Sequence, residues 1–168
     1  MIIRKYKPAD CKMLAELFYH TVHTVNAKDY TKEQLNAWAS GNIDLSVWNQ
    51  SFTEHDTVVA IKKNLIVGFG DMDKSGYFDR LYVHEDYQHQ GIGSAICQAL
   101  ESNCPASEFS VHASITAQPF FISRGYQVIQ EQKAIRNGVS LTNYLMRKSS
   151  NPINPNYFIA ADKYTRIK

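Results

Sequence analysis

The stretch Gln88-His89-Gln90-Gly91-Ile92-Gly93-Ser94 follows an apolar run, Gly76 to Val83 (GYFDRLYV), and opens a segment whose apolar residues Ile92, Ala95, Ile96, Ala99 and Leu100 fall at helical spacing. The run before it is rich in aromatic and β-branched residues and reads as a strand. A strand therefore passes into a helix through two glycines. A helix N-terminus leaves its first N–H groups unpaired and carries partial positive charge, and glycine there lets an anion reach the main chain with no Cβ in the way. A pyrophosphate suits that arrangement, although a tight turn that needs two glycines gives the same letters. Two other phosphate motifs fail: a dinucleotide fingerprint needs a third glycine where Ile96 stands, and a P-loop needs a Gly-Lys-Ser/Thr ending that is absent.

Working outward, residues 56–73 read as two strands about a tight turn at Lys63-Asn64. Upstream of them, Met1–Lys7 alternates weakly as a first strand, and Pro8-Ala9-Asp10 marks a helix start with Asp10 as its N-cap. Leu14, Leu17, Phe18, Thr21, Val22 and Val25 then follow helical spacing. Thr31 and Gln34 form a capping box for a second helix, which carries Leu35 and Trp38 and stops near Gly41. Downstream, Phe109, Val111 and Ala113 alternate with Ser110, His112 and Ser114 in a half-buried strand. Residues 116–126 read as a short helix closed by Gly125 at C′. Two last strands, 126–135 and 140–148, flank an Asn137-Gly138 turn. That order is a mixed α/β layer fold.

Composition sets limits. The 168 residues suffice for one ordinary domain, and a hydrophobic fraction of 44% argues against disorder. A net charge of +2 leaves no electrostatic footprint for nucleic acid. No apolar run approaches a membrane span, and the N-terminal residues lack the long apolar core of a signal peptide. Cys11, Cys97 and Cys104 are odd in number and scattered, which fits neither a zinc pattern nor a disulfide framework. They suggest a reducing compartment, and the expected location is cytoplasmic.

Leu81–Glu101 (LYVHEDYQHQGIGSAICQALE) resembles the acyl-CoA signature of the GNAT superfamily of N-acetyltransferases. The family pattern Gln/Arg-x-x-Gly-x-Gly/Ala is met by Gln88, Gly91 and Gly93, and residues 114–126 also fit. Residues 23–39 are similar to a bacterial subgroup of unassigned substrate. The resemblance implies a GNAT domain over residues 1–148 and leaves a tail, 149–168, that the family does not explain. It further implies an α/β fold with helices on both faces of a mixed central sheet. Two parallel strands of that sheet, 78–83 and 109–114, would splay apart to admit acetyl-CoA. The pyrophosphate would rest on the amides of His89, Gln90, Gly91, Ile92, Gly93 and Ser94, beside Gln88. The pantetheine would pair like an added strand with the main chain of Leu81, Tyr82 and Val83. Ser114 and Phe121 stand where the family often has an asparagine and a tyrosine beside the thioester.

Direct transfer requires a neutral amine, so an ammonium with a pKa near ~10 must first lose a proton. Asp79 is the candidate base, placed by period two on the face of Tyr77 and Leu81; an Asp paired with a nearby Arg or Lys is the other reading. The family's tyrosine acid is Phe121 here, which has no proton to give. Tyr126, Tyr82 or a water could serve instead, or the thiolate could leave unaided. The acceptor would enter over the first two helices, where His20, His23, Asn26, Tyr30 and Trp38 are the polar and aromatic candidates. His20 and His23 share a helix face without a third ligand at convincing spacing, so no metal is expected. The implied function is acetyl transfer from acetyl-CoA to a primary amine of a small molecule or protein. The alternative is a non-catalytic acyl-CoA-binding module for regulation or assembly. No nucleic acid or membrane partner is expected, and a homodimer is left open.

Overall fold

Two-residue turns organise the sheet. Lys63 and Asn64 (φ 51 and 62°) join β2 (Asp56–Lys62) to β3 (Leu65–Met72), and Asn137 and Gly138 (φ 48 and 78°) join β6 (Gln127–Arg136) to β7 (Val139–Ser149). Both pairs are left-handed, the geometry whose twist matches antiparallel strands. The computed structural model describes residues 1–150. Within them β1 (Ile2–Lys5), β4 (Tyr77–Val83) and β5 (Glu108–Ser114) complete a seven-stranded sheet of order β1-β2-β3-β4-β5-β7-β6. All neighbours are antiparallel except β4 and β5, which run parallel.

That parallel pair is short. Only Tyr77↔Ser110 and Phe78↔Val111 are in register, and beyond them the strands part. The splayed mixed sheet is thus present as expected. The helix α4 (Ile92–Asn103) and the short α5 (Gln118–Ser123) cover one face, where Ile92, Ile96 and Leu100 pack with Val58, Met72, Phe78, Phe121 and Tyr126. The other face carries α1 (Cys11–Thr24), α2 (Lys32–Trp38) and α3 (Leu45–Glu54), with Leu14, Phe18, Val22 and Phe52 against Val59, Phe69 and Leu141.

Local signals account for most boundaries. Thr31 and Gln34 exchange the two hydrogen bonds of a capping box at the start of α2. Gly125, with φ 88°, stands just past the end of α5. Two expectations need correction. Asp10 does not cap α1: its backbone is already helical, and its carboxylate accepts from Lys7 N (2.9 Å) and pairs with both outer nitrogens of Arg4. Helix α3 was not anticipated; Asp44 caps it through Ser46 N and Val47 N, while its Leu45 and Val47 remain exposed, which blurs its apolar stripe. No helix among the described residues is long and apolar enough to cross a membrane. Strand β7 runs to Ser149, and Ser150 N donates to Ser107 O; the rest of the expected tail lies outside the described residues.

Candidate active site

The glycine loop begins at Gln88, whose side-chain amide donates to the Val83 carbonyl and ties the loop to the end of β4. His89 (φ 57°) and Gly91 (φ 77°) are both left-handed, so the chain turns sharply before α4. Such alternation points successive N–H groups to one side. Gly91 is the N-cap, and the first intrahelical bond runs from Ala95 N to Gly91 O (3.0 Å). The N–H groups of Ile92, Gly93 and Ser94 precede that bond and have no partner within the helix. The Ile92 side chain itself is buried in the core, so only its main chain faces the loop.

Past Phe78 the main chain of β4 has no strand partner on the β5 side. The Val83 carbonyl is reached instead by Gln88 and, at 3.4 Å, by the Thr21 hydroxyl. Tyr82 turns its ring into the α1 face between Phe18 and Phe69 (4.9 and 5.6 Å), and burial pushes its phenol up from the ordinary value. Across the gap, Ser114 ends β5 and its hydroxyl oxygen accepts from Ala117 N (3.1 Å), which leads into α5.

Phe121 is 2% exposed and lies beneath the strands, its ring 6.0 Å from Phe78 and 5.1 Å from Tyr126. Phe120, not singled out from the sequence, packs on the start of α4: its ring is 3.3 Å from where a Cβ on Gly93 would stand. Tyr126 is 2% exposed, and its hydroxyl donates to Glu101 (2.9 Å), which also holds Arg124 and Lys148. Burial and the Glu101 charge push the Tyr126 phenol far upward.

Asp79 does not follow simple alternation. Asp71 pairs with Arg80 and Met72 with Phe78, so Asp79 is the extra residue of a bulge in β4. Phe78 and Leu81 consequently pack in the same core, and Asp79 does not share a face with Leu81. Its carboxylate is about one-third exposed and is bonded by Arg80, whose guanidinium lies over the rings of Trp48 and Phe52. Next to it Asp71, with no exposed side chain, accepts from or shares a proton with His55 Nδ1 at 2.7 Å. Ligating atoms of His55, Asp71 and Asp79 all lie within 4.8 Å of one another. The Arg80 guanidinium already brings positive charge there, with Nε 3.4 Å from Asp71 Oδ1. Tyr77 and His112 join β4 to β5 on the opening's near side, Tyr77 Oη to His112 Nδ1 at 3.2 Å.

The acceptor candidates do not converge. Asn26 and Tyr30 are buried, and the Tyr30 hydroxyl donates to Thr142 O (2.7 Å) while accepting from Ile115 N (2.9 Å). Trp38 is half-buried against the Tyr30 ring. His23 stacks on Tyr19, with its ring nitrogens against Tyr19 O and Asn36 Oδ1, which anchors α1 to α2. His20 meets the same Tyr19 ring edge-on (5.7 Å) and lines a surface hollow of about 350 Å³ with Lys12 and Glu16.

The family model of an acetyltransferase (GNAT) domain matches residues 26–148. The chain belongs to the GNAT acetyltransferase family. It is similar to the N-acetyltransferase YafP of Escherichia coli (strain K12), with 35% identity over 145 residues that cover 86% of this chain and 93% of YafP. Among solved structures it resembles a GCN5-related N-acetyltransferase from Rhodopseudomonas palustris: TM-score 0.85, 33% identity, 88% of this chain and 94% of that one. The PaiA N-acetyltransferase from Thermoplasma acidophilum, solved with coenzyme A, shares the fold at TM-score 0.71 and 16% identity, over 88% and 98% of the two chains. The GNAT protein described here is thus an acyltransferase of the N-acetyltransferase type, and its family carries out acetyl-CoA-dependent acetyl transfer.

Proposed function

We propose that this GNAT domain, residues 1–148, binds acetyl-CoA in the opening between β4 and β5 and passes the acetyl group directly to a primary amine in a ternary complex. The observation that carries this reading is the parting of β4 and β5 after two registered pairs, beside the left-handed loop at the start of α4. Loop amides from His89 to Ser94 would take the pyrophosphate. Main-chain groups of Leu81, Tyr82 and Val83 would take the pantetheine, and an N–H near Leu81 or Val83 would hold the oxyanion.

Asp79 is the proposed base. It stands at the bulge with Tyr77 and His112 nearby, where a partly exposed carboxylate can meet an ammonium. No side-chain acid is assigned. Phe121 has no proton to donate, and the Tyr126 hydroxyl is committed to Glu101. The thiolate of CoA is a tolerable leaving group if its thiol pKa lies near ~8.5, as for an ordinary cysteine. The acceptor is a small-molecule or protein amine, and three free cysteines fit a reducing cytoplasm.

Calorimetric titration with acetyl-CoA, followed by an amine panel read by release of free thiol, tests this function. Binding followed by thiol release with one or more amines is expected. Binding with no amine consumed would favour the non-catalytic module, the reading that the missing tyrosine at Phe121 supports.

A further inference from the structure

At one margin of the sheet β6 pairs with β7 alone, and its outer edge meets no strand among the described residues. Such an edge is a template for another strand. The opposite margin, β1, is four residues long and carries Arg4 and Lys5. Strand β6 has ten residues, of which only Gln132 and Ala134 are half-buried. Val128, Ile129 and Ile135 are exposed, the last by 63%. Glu131 and Lys133 stand on one face of the strand, Nζ 3.8 Å from Oε1, and both are open to solvent. Ile135 follows on that face by period two. Ile129 has no registered partner on β7 and is the extra residue of a bulge.

We propose that β6 is the interface of a homodimer, in which two copies of this chain pair their β6 strands antiparallel about a two-fold axis at Gln132 and join their sheets edge to edge. Directly opposed residues of an antiparallel pair share a face, and an axis normal to the sheet keeps each residue on its own face. The axis therefore falls at a residue and not between two. At Gln132 it sets Glu131 against the second copy's Lys133 and, by symmetry, Lys133 against the second copy's Glu131. It also brings Ile129 to the second copy's Ile135 at both ends of the pairing. Moving the axis one residue either way sets Glu131 against Glu131 or Lys133 against Lys133, like charges directly opposed. The charges thus select one register, and in that register the strand is complementary to itself. An edge lysine discourages pairing with a foreign strand, whereas in a second copy Glu131 answers it. The isoleucine pairs leave water together, which gives the exposed aliphatic side chains of this edge a reason to be there.

The test is size-exclusion chromatography with light scattering on the full chain, at concentrations up to hundreds of micromolar. Wild type should reach the mass of two chains. Glu131→Lys opposes lysine to lysine at both symmetric positions and should weaken association about tenfold or more. Lys133→Glu opposes glutamate to glutamate and should do the same. Glu131→Lys combined with Lys133→Glu restores both opposite-charge pairs and should dimerise as wild type does. Ile135→Asp should leave a monomer. These side chains are exposed, so circular dichroism and urea midpoints of the variants, compared in dilute solution, should match those of wild type. Wild type that stays monomeric throughout the range overturns the proposal, whether the edge is then bare or covered by residues 151–168. A dimer that both single exchanges leave intact also overturns it, as does one that the double exchange fails to restore. Neither acetyl-CoA nor an amine is needed, so the outcome is independent of the transfer reading.

Discussion

The Phe120 ring lies 3.3 Å from the point where a Cβ on Gly93 would stand, whereas nothing lies within 4 Å of the equivalent point on Gly91. The two glycines of the loop are therefore there for different reasons. Gly93 keeps α4 close to the Phe120 ring. Gly91 supplies a left-handed N-cap at φ 77°. Gly93→Ala should displace Phe120 and weaken acetyl-CoA binding about tenfold with little change in denaturation midpoint. Gly91→Ala should cost about 1 kcal/mol of stability through its backbone. Calorimetry and urea denaturation on both variants separate the effects; identical profiles would contradict the assignment.

Tyr126→Phe should leave kcat nearly unchanged, because Glu101 retains Arg124 and Lys148 when the phenol is lost. A stability loss of about 1 kcal/mol is expected for the missing hydrogen bond. A hundredfold fall in kcat with intact folding would show that Tyr126 is the acid after all. Phe121→Tyr is expected to behave differently from what its place in the sequence suggests. The site is closed and packed by Phe78 and Tyr126, so an unpartnered hydroxyl costs about 1–3 kcal/mol. Thermal denaturation reads that loss.

Tyr30→Phe removes one atom that serves two strands. Ile115 N–H loses its acceptor and Thr142 C=O its donor, both near the ends of β5 and β7. We expect about 1–3 kcal/mol less stability by urea denaturation, with the ring still edge-on to Trp38. A change below a few tenths of a kcal/mol would mean that water replaces the hydroxyl there.

The Arg4–Asp10 pair sets part of the acid limb of stability. Hydrogen bonding to Arg4, chiefly, holds the Asp10 carboxyl below its ordinary value, with burial opposing it. A carboxyl lowered on folding stabilises the fold above its unfolded pKa, and that contribution disappears as pH falls through the folded one. Asp10→Asn should therefore be less stable than wild type at pH 7, and the two should converge below about pH 4. Denaturation midpoints across pH check this; a gap that persists or widens in acid would assign Asp10's contribution to packing.

Much of the sheet and of the cofactor side was readable in the sequence because local chemistry decides it. Lys63-Asn64 and Asn137-Gly138 adopt φ values that such residues tolerate, and Thr31 with Gln34 caps a helix wherever the chain places them. The acceptor side depends on contacts distant in sequence. A bulge appears only when β3 and β4 are in register, so alternation misplaced Asp79. Asp71 looks like an ordinary polar residue near a strand end until His55, sixteen positions earlier, closes on it. Tyr30 looks like a binding residue because nothing local reveals that Thr142 and Ile115 consume its hydroxyl. Helix α3 was hidden by its own exposed leucine and valine.

With just two registered pairs between β4 and β5, the sheet is two separately laced halves meeting at a seam. Side chains stitch that seam: Glu101 of α4 to Arg124, Tyr126 and Lys148 beyond it, and Tyr77 to His112. Pulled from opposite edges, the molecule would tear there first. Amide hydrogen exchange should accordingly be slow within the β2–β3 and β6–β7 hairpins and fast at Leu81–Val83 on the side facing β5. A ligand whose amides bridge the gap would act as mortar, and slowing of exchange on its addition would be concentrated along that one line.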